Sequence, residues 1–182
     1  MYPFELSHLC IVLGLLYLAV HGYALYQSDQ VKQWLAAFPR NEVAGTVLTV
    51  VAGLWFGWIL ATQDLMDYSQ YRKIFLIALC VSVGLLIIYL KEFLAVRALG
   101  CVGLLCGGMM LDVGFMRPEL PRLLISFAAY VYIFLSMFWI GAPYLMRDQI
   151  SWVCARDERF KCLAGAGVGF GVIILGLGIF VF

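Results

Sequence analysis

Tyr89-Leu-Lys-Glu-Phe-Leu-Ala-Val-Arg-Ala-Leu-Gly100 sets three charges inside a long apolar run that contains no proline. If Phe75 to Leu111 were one helix it would be more than about 50 Å long, against roughly 30 Å of hydrocarbon in a bilayer. The chain must therefore turn within this run, and Lys91-Glu92 is the polar pair available for the turn. A tight hairpin at Lys91-Glu92 makes two spans of the run and sets the span count at six. Arg97 then falls about one turn inside the second of the two, where its long stem can snorkel back to the headgroups. Lys91 and Arg97 are expected to anchor lipid headgroups, with Glu92 or a lipid phosphate as the partner of Arg97.

Composition points the same way. Of 182 residues 64% are hydrophobic and only 13% charged, more apolar surface than a soluble domain of this size buries. Twelve basic and eleven acidic residues leave the chain near neutrality, which excludes a basic face for nucleic acid and an acidic tail for a basic partner. Apolar runs of membrane-crossing length lie at Ser7–Tyr26, Val43–Thr62, Ile74–Leu90, Phe93–Phe115, Leu123–Met146 and Cys162–Phe182. No run alternates polar and apolar residues, so a barrel is excluded. The fold class is all-α: a polytopic transmembrane helix bundle forming a single integral membrane domain over residues 1–182. The first span lacks a basic flank and a small-residue cleavage pattern, so it is expected to be retained.

Between spans one and two, Val31, Trp34, Leu35 and Phe38 recur at spacings of three and four, and Pro39 follows. This predicts a short interfacial amphipathic helix that Pro39 ends, with Ser28 or Asp29 as its cap. Arg147 to Lys161 reads as a solvated connector of mixed charge, and Pro143 is expected to bend span five. The loops after spans one, three and five hold eight Lys and Arg (Lys32, Arg40, Lys91, Arg97, Arg147, Arg156, Arg159 and Lys161). The other side holds four: Arg72, Lys73, Arg117 and Arg122. The positive-inside rule then places both termini on the extracytoplasmic side. Compact spans with short loops suggest a bacterial inner membrane.

Small residues four apart mark helix-packing faces: Gly53 and Gly57, Gly103 and Gly107, and Gly165, Gly167, Gly169 and Gly171 as overlapping pairs. In lipid, close backbone approach through such faces is a main source of association energy. They serve either the chain's own helices or a docked subunit. Asp64, Asp67 and Asp112 lie near one end of their spans, as does His8, and could form an ion or proton path. Arg72, Lys73, Arg117 and Arg122 share that end and could neutralise them.

His8 and His21 are thirteen residues apart on one helix, about 20 Å along the axis, the spacing of stacked haems in cytochrome b-type bundles. A single helix, however, supplies one histidine per haem, and the second axial ligand is missing. Trp55 and Trp58 sit deeper than an aromatic belt and could line a pocket. Haem, quinone or carotenoid would be the cofactors of such sites, and none is predicted. The six cysteines are read as structural; Cys154 and Cys162 are spaced for a disulfide, which the orientation disfavours. No metal site and no catalytic signature is present in the sequence.

Three functional readings follow. The first is a non-catalytic accessory or scaffold subunit of a larger membrane assembly, its partners being membrane lipids and other membrane subunits or copies of itself. The second is a small transporter or channel component using His8 and the three aspartates. The third is a membrane redox or lipid-processing enzyme.

Overall fold

In the computed structural model, which describes residues 5–115 and 120–181, all regular structure is helical. Eight α-helices follow one another: α1 (Leu6–Tyr26), α2 (Ser28–Ala37), α3 (Glu42–Thr62), α4 (Arg72–Tyr89), α5 (Leu94–Val113), α6 (Arg122–Gly141), α7 (Tyr144–Cys154) and α8 (Asp157–Phe180). Six of them, all but α2 and α7, are long and apolar enough to cross a bilayer, α4 together with the turns before it. The chain is a six-span helical membrane protein.

Local chemistry explains most of the boundaries. Asn41 caps α3, its side-chain oxygen accepting from Ala44 N at 3.0 Å, and Glu42 follows in the first turn. The short helix predicted between spans one and two is α2, and it gives way to a 3-10 turn, Phe38–Arg40, around Pro39. The hairpin between α4 and α5 turns at residues 90–93, as the Lys91-Glu92 pair requires. Phe93 takes a left-handed φ of 56° there, and its carbonyl accepts from both Val96 N and Arg97 N at 3.2 Å.

Two expectations are corrected. Span five does not run bent to Met146: α6 ends at Gly141 and a new helix starts at Tyr144. Pro143 has no N–H to give and pushes Ala142 away from helical geometry, so the helix breaks rather than curves. The segment from Arg147 is not a plain connector either. It forms most of α7, whose half-buried residues Ile150, Val153 and Cys154 share a side while Arg147, Asp148, Gln149 and Ser151 are exposed. The last span starts at Asp157, five residues before Cys162, because Asp157 and Glu158 suit the positive end of the helix dipole.

The chain divides into two compact units. The first takes residues 1–36, 107–131 and 147–182, and the second residues 37–106 and 132–146. In the first, α1 and α8 make the most extensive helix pair. In the second, α3 and α4 pack together, and α5 meets α3 at Ala95 and the later part of α6 at Ser136 and Ile140.

Candidate functional site

Within the first unit, α1 and α8 approach through glycine. A Cβ added at Gly14 would lie 2.8 Å from both Cβ and the backbone nitrogen of Leu175. One at Gly171 would lie 2.9 Å from Tyr17 Cβ and 3.2 Å from the Gly14 carbonyl, and one at Gly178 would lie 2.9 Å from Cys10 Cβ. The His21 ring lies directly on Gly167, stacks on Tyr17 at 5.1 Å, and has Nδ1 3.0 Å from the Tyr17 carbonyl. That hydrogen bond fixes the tautomer with the proton on Nδ1. Tyr17 in turn meets Phe170 edge-on at 5.3 Å. Gly165, Gly169 and Gly176, by contrast, have nothing within 4 Å of an added Cβ.

At one end of this pair Ala24, Phe160 and Ala164 form a small buried core, packed over by Val31 and Leu35 of α2 and by Val153 and Cys154 of α7. Beside it opens a cavity of about 700 Å³ lined by Val20, His21, Trp34, Leu163 and neighbours. Lys32 ties α2 to α8 by a hydrogen-bonded ion pair with Asp157, and it also lies 5.2 Å from the Phe160 ring centroid. The Asp157 hydrogen bond holds the lysine pKa above its ordinary value. Burial pushes the Cys154 thiol up, with Lys32 pulling the other way. Arg159 stacks over Trp152 with its guanidinium carbon 4.4 Å from the ring centroid.

In the second unit α4 meets α3 through Leu79 and Val83, set against Gly57 and Gly53 at 3.4 and 2.7 Å from an added Cβ. Leu76, Leu79, Val83 and Ile87, at spacings of three and four, are the half-buried apolar stripe of α4; none of its residues is fully buried. An apolar groove of about 530 Å³ runs beside this contact, lined among others by Phe56, Leu79, Val83, Leu86, Cys101 and Leu105. Arg97 is the one ionisable side chain on it apart from the Cys101 thiol. Among the described residues Arg97 makes no hydrogen bond or ion pair, and its Nε is enclosed without a partner. Glu92, five residues earlier, does not reach it. Nearby on α5, Gly103 receives the side chain of Ser136, which is fully buried with its hydroxyl unpaired.

His8 is exposed and belongs with Asp112 to the first unit; Asp64 and Asp67 belong to the second. Asp64 Oδ1 accepts from Met66 N at 3.0 Å, so it shapes a turn. Arg72 does not neutralise the aspartates: it donates to the carbonyls of Ala61 and Gln63 at 3.1 and 2.8 Å, closing the open end of α3. Arg122 likewise donates to the Gly114 carbonyl at 3.4 Å, and Arg117 lies outside the described residues. No group of three or more His, Cys, Asp or Glu able to hold a metal occurs among the described residues. Neither Trp55 nor Trp58 lines the two cavities; Trp58 is exposed, and Phe56 takes the place between them on the groove. Lys91 is exposed in the hairpin and Gly107 is buried.

The groove escaped the sequence reading because its lining comes from four helices, and only Arg97 carries a signal within a single segment. With no family model, no curated protein and no solved structure matching the chain, the class it belongs to is the one its own helices define, a six-span membrane protein.

Proposed function

We propose that the chain is a non-catalytic accessory or scaffold subunit, assembling side by side with other membrane chains or with copies of itself. The observation that carries this reading is the outward glycine face of α8. Gly165, Gly169 and Gly176 fall within about 40° of one another on the helix, and each has open space beyond it. Hydrocarbon offers no hydrophobic drive between helices, so a face that lets two backbones come close is where association gains energy. Gly167 and Gly171, on the other side of the same helix, already serve α1. The bare flank of α4 adds to this support, since no residue of that span is fully buried within the chain.

The eight-to-four distribution of Lys and Arg supports an orientation with both termini outside, and the compact spans with short loops support a bacterial inner membrane. Transport and redox chemistry draw no comparable support, because Asp64 is engaged by a turn, Arg72 by the end of α3 and His21 Nδ1 by a carbonyl. The test is extraction from native membranes in a mild detergent followed by native mass spectrometry. A stable stoichiometric complex is expected, and Gly165→Leu with Gly169→Leu should release the partner while the chain itself stays folded. A sharp monodisperse monomer from the unaltered chain would overturn the reading.

A further inference from the structure

The groove beside α4 offers an anion one specific address. Apart from the Cys101 thiol and Thr49, whose hydroxyl donates to the Gly45 carbonyl, its walls are hydrocarbon, with Phe56, Leu79, Val83, Leu86 and Leu105 among them, and Arg97 stands near the hairpin end of its α5 wall. From Arg97 to Leu105 is eight residues of helix, about 12 Å, close to the roughly 15 Å half-thickness of a bilayer's hydrocarbon core. A volume of about 530 Å³ lies within the range of formed small-molecule sites, roughly 300–1,000 Å³. Arg97 is in the first turn of α5, next to the hairpin, and the stem of an arginine at that position can reach back toward the headgroup level. An arginine in an apolar setting is costly unless it finds a counter-charge. Here the described residues supply none.

We propose that this groove is a binding site for one anionic glycerophospholipid, its phosphodiester held by Arg97 and one acyl chain lying along the groove. The fork of the guanidinium matches two phosphate oxygens. A zwitterionic lipid is the poorer ligand because its own ammonium already accompanies the phosphate and would stand beside Arg97. The site does not depend on the subunit reading above. It would serve a solitary chain as well as an assembled one, and its test needs no partner protein.

The experiment reconstitutes the full chain in nanodiscs of phosphatidylcholine containing phosphatidylglycerol as the minor lipid, then counts retained lipids by native mass spectrometry after gentle release. One phosphatidylglycerol per chain should be retained about fivefold in preference to phosphatidylcholine, the discrimination expected of one basic residue at a membrane surface. Arg97→Gln should abolish the preference, and Arg97→Lys should keep part of it. Cys101→Trp fills the groove at an exposed wall residue while leaving the cation in place, and should lower retention of both lipids. It carries the test on its own if Arg97→Gln fails to fold. Equal retention of the two lipids, or retention unchanged in Cys101→Trp, would overturn the proposal. So would displacement of the bound lipid by inorganic phosphate alone, since that would mark a site for the anion without the chain.

Discussion

At Gly14 an added Cβ would run into the backbone nitrogen and Cα of Leu175, at 2.8 and 2.9 Å, whereas at Gly53 it would meet the side chain of Val83, one methyl of it at 2.7 Å. Both are glycines at a helix crossing, yet they report different kinds of contact. Between α1 and α8 the obstacle is main chain, which can yield only if the helices separate. Between α3 and α4 the obstacle is the branched end of one side chain, which can rotate or tilt. The first pair is locked by shape and the second is a looser contact beside an open groove. Counting glycines would not separate them; asking what each glycine faces does.

The largest expected effect tests that difference directly. Gly14→Leu should cost about 3 kcal/mol or more of stability, at the upper end for overpacking a filled site, and Gly53→Leu about 1 kcal/mol. Reversible unfolding in mixed micelles would measure both, and equal losses would remove the distinction between the two pairs. Next comes the tie that closes α3. Arg72→Gln removes two charge-assisted hydrogen bonds to end carbonyls and should cost about 2 kcal/mol. The loss should show as faster amide exchange at the end of α3, with the α1–α8 pair unaffected.

Within the second unit, Gly103→Ala should cost about 1–2 kcal/mol by forcing Ser136 aside. Ser136→Ala removes a buried, unpaired hydroxyl and should be neutral or slightly stabilising. The two together should recover most of the loss, and a simple sum of the single effects in a double-mutant cycle would argue against the contact.

The ion pair of the first unit gives a pH-dependent effect. The folded Lys32 pKa lies above its ordinary 10.5, so the stability it lends is complete below about pH 10.5 and disappears as pH rises through the folded value. Trp34 fluorescence should therefore report loosening of α2 at high pH, and Lys32→Met should flatten that part of the titration. The smallest change is expected at Met66, an exposed residue held at a left-handed φ of 48°. Met66→Gly relieves that strain but frees the unfolded chain, so stability read from thermal melting should change by no more than about 1 kcal/mol.

How much of this was legible beforehand depends on the range of the interaction. The hairpin at Lys91-Glu92 could be read from helix length alone, and α2 from the spacing of Val31, Trp34 and Leu35. The helix in α7 also left a signal, Met146, Ile150 and Val153 at spacings of four and three. Charges of both signs on its other face made it resemble a connector. The roles of Arg72 and Arg122 were hidden for another reason. Carbonyls at a helix end carry no sequence identity, so an arginine near aspartates reads as an ion pair until the backbone is placed.

The sequence by itself determined six spans, the short helix after the first and the tight turn before Arg97, because these follow from hydrocarbon thickness, local polarity and the rise of a helix. It could not say which half of Gly165, Gly167, Gly169 and Gly171 faces inward. The two overlapping pairs are equivalent as patterns, and only the fit of His21 and Tyr17 against Gly167 and Gly171 separates them. Nor could it say whether Glu92 reaches Arg97. Glu92 lies in the turn, outside α5, so the direction of its side chain is not set by the helix that carries Arg97. The tertiary structure decided that Glu92 does not, leaving Arg97 on a largely apolar groove where the described residues supply no counter-charge.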